Sequence, residues 1–184
     1  RLTKQLISID EDEQIFSVKT KNINAYLVAA PNIIVSKSAK PISHISTMDR
    51  GSGPTDGGNL LLESREVVEL NLDEKNYRRF IRPVFGSAEF VRGIQRYCLW
   101  IKDEDAELAQ NIDSISARIE AVRKMRLASS KAATRAGAQY PHRFDEIRQT
   151  GDETIIAVPR VTSENRYYLP CGFLPDRSIA TDST

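Results

Sequence analysis

Residues 113–138 read DSISARIEAVRKMRLASSKAATRAGA. Ile115, Ile119 and Val122 fall at i, i+4 and i+7, which makes one apolar stripe on a helix of period 3.6. The spacing predicts a single long helix, with Arg118, Arg123 and Arg126 off the stripe and facing water. Gly137 is where that helix loosens or ends.

Outward from this helix the pattern changes. Residues 14–20 (QIFSVKT) alternate apolar and polar side chains, as a half-buried strand does. Residues 24–30 (NAYLVAA) and 33–36 (IIVS) are expected as two more strands, with a turn at Pro31-Asn32. Residues 48–59 hold four Gly and one Pro in twelve positions and are expected as a loop. Ser64 is a candidate cap for a short helix through Val67, Val68 and Leu70. A helical stretch at 77–81 should stop before Arg82-Pro83. Residues 96–101 (RYCLWI) have strand character. Residues 154–161 (TIIAVPRV) are expected as a last, central strand, with Pro159 at an edge or bulge. Residues 167–173 (YYLPCGF) are expected as a short apolar finish. Strands and helices mix without a regular βαβ alternation. The expected class is therefore α+β: a single domain with a mixed β-sheet flanked by helices, including one long basic helix near 113–138.

The net charge of +1 hides a pattern. Residues 78–102 hold six Lys/Arg against one Glu, and residues 114–148 hold eight against three acids. Residues 103–113 hold five acids and no base. Two basic segments on a near-neutral chain suit an anion-binding face, and equally suit solvated helices of alternating charge. The longest apolar runs, such as Ile33-Ile34-Val35, are far too short to span a bilayer. No signal peptide is legible at the start, so the expected place is the cytoplasm, with Cys98 and Cys171 as reduced, packed thiols. The chain opens on Arg1 rather than Met, which suits a piece of a longer protein and equally suits removal of an initiator Met.

Several kinds of chemistry have no legible motif. There is no Gly-x-Gly-x-x-Gly after a strand, no phosphate-binding Walker loop and no nucleophile elbow. His44 and His142 are the only histidines and lie far apart, so neither a zinc site nor a catalytic base is expected. The run Asp56-Gly57-Gly58-Asn59 could cradle a phosphate on backbone N–H groups, or be a plain tight turn.

Phrases spread along the chain are more specific. They begin with Asn24-Ala25-Tyr26-Leu27-Val28, Lys40-Pro41-Ile42-Ser43 and the run from Pro54 to Leu62. Phe80-Ile81-Arg82-Pro83, Gly86-Ser87 and Arg96-Tyr97-Cys98-Leu99-Trp100 follow. Then come Arg126-Leu127-Ala128-Ser129, the run from Phe144 to Gln149, the run from Ile156 to Arg166, and Tyr168-Leu169-Pro170-Cys171-Gly172-Phe173. In this order they resemble the target-recognition domain of MmeI-like adenine-specific DNA methyltransferases, which are bacterial restriction–modification enzymes. The resemblance spans about residues 24–182. It departs at Gly51-Ser52-Gly53, where a more apolar stretch is usual, and at Tyr97, where Trp is common.

The resemblance implies a double-stranded DNA-recognition domain over 24–184. It implies that residues 1–23 are a strand region leading from the methyltransferase core of the same chain. The core's cofactor glycines and Asn-Pro-Pro-Phe/Tyr motif do not occur here, so S-adenosylmethionine belongs to the longer protein and this piece holds no cofactor and no catalytic residue of its own. It places base-reading positions at Glu164, Arg166 and Tyr168, and near Ala132. The chemistry agrees for the first two. A carboxylate accepts from cytosine N4–H, and a guanidinium donates bidentately to guanine O6 and N7. Arg123, Lys124, Arg126, Lys131 and Arg135, with Gly57, Gly58 and Asn59, are the candidate phosphate contacts. Arg78, Arg79, Arg82, Arg92 and Arg96 form a second basic group, some of which should brace the fold. Two other classes stay open: a small hydrolase or transferase using a pair such as Asp145/Glu146, and a protein-interaction domain with basic patches.

Overall fold

The computed structural model describes residues 3–181, except 11, 39, 42, 46, 47 and 164. The chain divides into two compact units, Arg1–Met48 and Asp49–Thr184.

The first unit is built on a hairpin. Strand β1 (Lys4–Ile9) pairs antiparallel with β2 (Ile15–Thr20), with Leu6 opposite Val18 and Ile9 opposite Ile15. Asp10 makes the turn: its Oδ1 accepts the N–H of Asp12 at 3.0 Å and of Gln14 at 2.8 Å. The two strands expected at 24–30 and 33–36 do not form. Asn24 Oδ1 instead accepts the N–H groups of Tyr26 at 3.0 Å and Val28 at 3.1 Å, and Leu27 turns into the left-handed region at φ 57°. A short polar side chain has taken the donors that a strand ladder needs.

The second unit holds a four-stranded mixed sheet. Its strands are β3 (Leu61–Leu62), β4 (Ile81–Phe85), β5 (Tyr97–Leu99) and β8 (Ile179–Ala180), in the order β3-β5-β4-β8. β5 runs antiparallel to both neighbours, while β4 and β8 are parallel. Helices α1 (Ser64–Glu69), α2 (Glu74–Phe80), α3 (Ser87–Arg92), α4 (Ala106–Gln110), α5 (Asp113–Leu127) and α6 (Ala132–Ala136) surround it. The α+β class with a mixed sheet flanked by helices is what the structure contains.

Local chemistry sets the boundaries. Asp73 caps α2 by accepting the Asn76 N–H at 2.7 Å, and the helix ends at Phe80 because Arg82, preceding Pro83, must be extended. α1 starts one residue earlier than a Ser64 cap would set it: Glu63 is the cap, and Glu66 accepts its N–H at 2.8 Å. The long helix stops at Leu127, well short of 138. Ser129 Oγ accepts the Lys131 N–H at 3.2 Å, and Arg135 donates to the Ser129 and Ser130 carbonyls at 2.8 Å each. These bonds hold residues 128–131 in a turn, and the chain restarts as α6.

The stripe Ile115, Ile119 and Val122 is buried in one core with Leu60, Leu62, Phe80, Val84, Leu99 and Ile179. Each such side chain contributes about 1.5–3 kcal/mol of burial, so this seam fixes α5 against the sheet. Trp100 meets Phe144 edge to face at 5.2 Å, and its Nε1–H donates to the Thr150 carbonyl at 3.2 Å. Gly151 follows at φ 88°, and a Cβ there would lie 2.9 Å from Trp100 Nε1. Gly151→Ala should therefore lower the urea-unfolding free energy by about 2–4 kcal/mol, from a left-handed alanine and overpacking against the indole.

Two expectations near the end of the chain are corrected. Residues 154–161 are not a central strand. Only Ile156–Ala157 (β6) pairs, antiparallel with Gly172–Phe173 (β7), in a separate two-stranded ribbon. Pro159 has no N–H to continue the ladder. Residues 167–173 are likewise no apolar finish to the core, because Tyr167, Tyr168, Leu169 and Phe173 are all exposed.

Candidate nucleic-acid interface

The β6–β7 ribbon carries a loop, residues 158–171, whose described side chains are mostly exposed. Its base lies beside α3: the Arg160 N–H donates to Ser87 Oγ at 3.1 Å, and a Cβ on Gly172 would touch the Phe90 ring at 3.4 Å. Within the loop the Arg166 N–H donates to the Ser163 carbonyl at 3.2 Å. The Arg166 side chain is exposed and makes no hydrogen bond or ion pair among the described residues. Tyr167 is 99% and Tyr168 87% exposed, so Tyr168 is not a core aromatic. Glu164 lies outside the described residues.

The second candidate group surrounds the break between α5 and α6. Ala132 opens α6 and is exposed, and Lys131 is the residue before it. Lys124 and Lys131 are exposed, with no side-chain partner among the described residues. Arg123 pairs with Glu120 at 3.2 Å on the same helix. Arg135 spends part of its donor set on the Ser129 and Ser130 carbonyls and remains exposed. No hydrogen bond or ion pair joins this group to the 158–171 loop among the described residues.

Arg126 is a correction. It neither faces water nor is free to contact phosphate, being only 1% exposed. Its Nε donates to the Thr55 carbonyl at 3.0 Å. Nη1 donates to Gly137 at 3.0 Å and Tyr140 at 2.9 Å, and Nη2 to Pro54 at 2.9 Å and Arg143 at 2.8 Å. A guanidinium has five N–H donors, and here all five are used. Burial holds its pKa below the usual range, which the Asp145 and Asp56 carboxylates only partly oppose. The signal was in the sequence: 115, 119, 122 and 126 continue the i, i+4, i+7, i+11 series, so Arg126 lies on the buried stripe.

The glycine cradle at Gly57, Gly58 and Asn59 is the second correction. Asp56 is buried, and its own carboxylate fills the loop. Oδ1 accepts the Gly58 N–H at 3.1 Å, and Oδ2 accepts those of Leu60 at 2.5 Å and Leu61 at 3.1 Å. The Asn59 N–H goes to the Asp56 carbonyl at 3.3 Å. The loop is a tight turn closed on an internal anion, and a phosphate would meet Asp56 instead of free donors. Arg118 braces it from α5, donating to the Asn59 carbonyl at 3.1 Å and to Glu66 at 2.7 Å. That contact with Arg118 holds the Glu66 carboxyl below its usual range.

Most of the second basic group is neutralised locally. Arg78 pairs with Glu74 at 2.6 Å, Arg79 with Asp105, and buried Arg82 lies 3.7 Å from Asp152. Arg96 lies between Glu63 at 3.4 Å and Glu89 at 3.5 Å. Arg79, Arg82 and Arg96 join separate elements and so brace the fold, whereas the Arg78 ion pair is a surface pair within α2. Glu146 pairs with Arg50 at 2.9 Å and Arg148 at 3.3 Å, which gives Asp145/Glu146 no character of an acid/base pair. His142 lies buried in a turn, with Nε2 2.7 Å from Asp103 Oδ1. Both cysteines are free: Cys98 is packed, and burial pushes its thiol pKa up, whereas Cys171 is exposed rather than packed. Among the described residues no cluster of His, Cys, Asp and Glu could hold a metal ion, and no helix is long and apolar enough to cross a membrane.

This arrangement defines an α+β domain that displays an arginine, tyrosines and lysines on a long loop and a helix break. The chain belongs to the MmeI target recognition domain family, whose family model matches residues 29–184. It is 34% identical over 164 residues to DNA methyltransferase A of Bacillus subtilis (strain 168), covering 89% of this chain and 18% of that protein. It is also similar to the solved structure of the type IIL restriction-modification enzyme MmeI in complex with DNA. There the TM-score is 0.76 at 32% identity, over 98% of this chain and 24% of that one. The chain thus spans less than a quarter of the length of either relative.

Proposed function

We propose that this chain is the double-stranded DNA-recognition module of a longer, cytoplasmic, S-adenosylmethionine-dependent adenine DNA methyltransferase of the restriction–modification type. The observation that carries it is Arg166: an exposed guanidinium without a partner among the described residues, beside exposed Tyr167 and Tyr168, in a chain of this family. A relative solved with DNA supports the choice of ligand. Residues 24–184 form the recognition domain, and residues 1–23 lead to the methyltransferase core of the same chain.

In this reading Arg166 donates to guanine O6 and N7, and Glu164 accepts from N4–H of the paired cytosine. Tyr168 offers an aromatic face and a hydroxyl to a neighbouring base. Ala132 is small, and leaves room for a thymine methyl or an adjoining side chain. Lys124, Lys131, Arg123 and Arg135 hold phosphates and set the register without reading sequence. The methyl donor and the reacting groups belong to the rest of the enzyme.

Two results test this. The isolated chain should bind duplex DNA weakly, and unlabelled duplex should compete. Lys124→Ala with Lys131→Ala should weaken binding alike on all sequences and flatten the log–log salt slope by about one to two units. Failure of duplex to compete while an acidic protein does would favour a protein-interaction domain. Labelled S-adenosylmethionine with DNA should leave no methyl group on DNA incubated with this chain alone, and incorporation would overturn the division of labour.

A further inference from the structure

Each face of the β1–β2 hairpin of the first unit carries three apolar side chains beside three polar ones. Side chains alternate along each strand, so the pairing puts Leu6, Phe16 and Val18 on one face, and Ile7, Ile9 and Ile15 on the other. Ile7 is 63%, Ile9 67%, Ile15 71%, Phe16 52% and Val18 54% exposed. A ribbon lying on a surface alternates apolar-in with polar-out, and needs only one covered face. This one has two faces to cover, and a lone two-stranded hairpin is marginal in water.

We infer that this ribbon is a docking element, covered on both faces by the methyltransferase core of the longer enzyme proposed above. The inference rests on that reading. Three observations commit it to a protein occupant from the same chain. The strands carry one lysine on each face, Lys4 and Lys19, but the turn at the ribbon's tip carries Asp10, Asp12 and Glu13, which repel phosphate and disfavour DNA as a cover that reaches the tip. The family match begins at residue 29, beyond the ribbon, whereas the solved relative is similar over 98% of this chain. The ribbon therefore goes with the larger enzyme rather than with the recognition domain alone. And this chain is only 24% of that relative, so most of such an enzyme is protein outside these 184 residues.

Hydrogen exchange on the full-length enzyme and on this 184-residue chain provides the test. In the full-length enzyme the paired amides of Lys4–Ile9 and Ile15–Thr20 should exchange about a hundredfold more slowly than in the shorter chain. Ile7→Lys and Val18→Lys probe one face each. Each alone should lower the thermal midpoint of the full-length enzyme by several degrees. Neither should alter duplex binding by the 184-residue chain. Equal, fast exchange in both proteins would overturn the inference. So would concentration-dependent protection in the shorter chain with dimers in sedimentation, since a second copy would then be the cover. Sensitivity to Val18→Lys but not to Ile7→Lys would overturn burial of both faces. Exchange is read without methylation, so an enzyme that proves not to methylate DNA would sink the functional proposal separately.

Discussion

Arg126→Met should lower the unfolding free energy of this chain by about 3–5 kcal/mol, the range for removing one side of a buried, fully hydrogen-bonded charge. Methionine fills the volume of the arginine stem but donates to nothing. The carbonyls of Pro54, Thr55, Gly137, Tyr140 and Arg143 would lose their common donor inside a closed site. Domains of this size hold about 5–15 kcal/mol in total, so the variant should unfold at much lower urea or fail to accumulate. Arg126→Lys keeps the charge but has three donors for five carbonyls, and its loss should be intermediate. Arg135→Ala is the contrast. It frees two carbonyls that water can reach, and should cost no more than about 1 kcal/mol. Urea titrations of the three variants decide the matter. A loss below about 1 kcal/mol for Arg126→Met would mean that water satisfies the carbonyls and that Arg126 is not the joint between the 54–55 loop, α5 and the 137–143 segment.

Arg126 also marks the limit of what the sequence made legible. The apolar period at 115, 119 and 122 placed the start and the buried face of α5, though not its end at Leu127, since three aliphatic side chains on one face have one way to be buried. Extending the same period by one turn reaches Arg126, but charge overrode position in the expectation that it faces water. The interior there is lined with backbone carbonyls, which are invisible in side-chain patterns. The Asp56 turn was hidden for the same reason: glycines that open backbone donors to a phosphate open them equally to the preceding aspartate. The failed strands at 24–36 show a third form of the problem. NAYLVAA has strand composition, and one oxygen of Asn24 redirects it by capturing two local N–H groups. Boundaries set by covalent constraint were readable, as with α2 ending before Arg82-Pro83. The family resemblance alone singled out the candidate base-reading positions. Exposed Arg166 and Tyr168 look like ordinary loop residues to composition and periodicity alone.

Arg166→Ala, made in the full-length enzyme, should relax the preference at one position of the recognised sequence by roughly one to two decades, because a bidentate guanidinium–guanine contact is worth about 1–3 kcal/mol of discrimination. The side chain is exposed and has no hydrogen bond or ion pair among the described residues to lose, so the fold should be unaffected. Its thermal midpoint should match the parent's, unlike that of Arg126→Met. Binding to non-specific DNA should change much less, since those contacts are to phosphates. On the proposed reading, exchanging donor and acceptor, with Glu164→Lys and Arg166→Asp together, should favour the reversed base pair: the carboxylate would then meet cytosine where the guanidinium is proposed to meet guanine. The measurement is methylation of a library randomised over the site, followed by sequencing of the modified strands. If Arg166→Ala lowers methylation evenly on every sequence and the recognised string is unchanged, Arg166 is a phosphate contact. If the exchanged pair recovers no sequence at all, position 164 does not share a base pair with position 166.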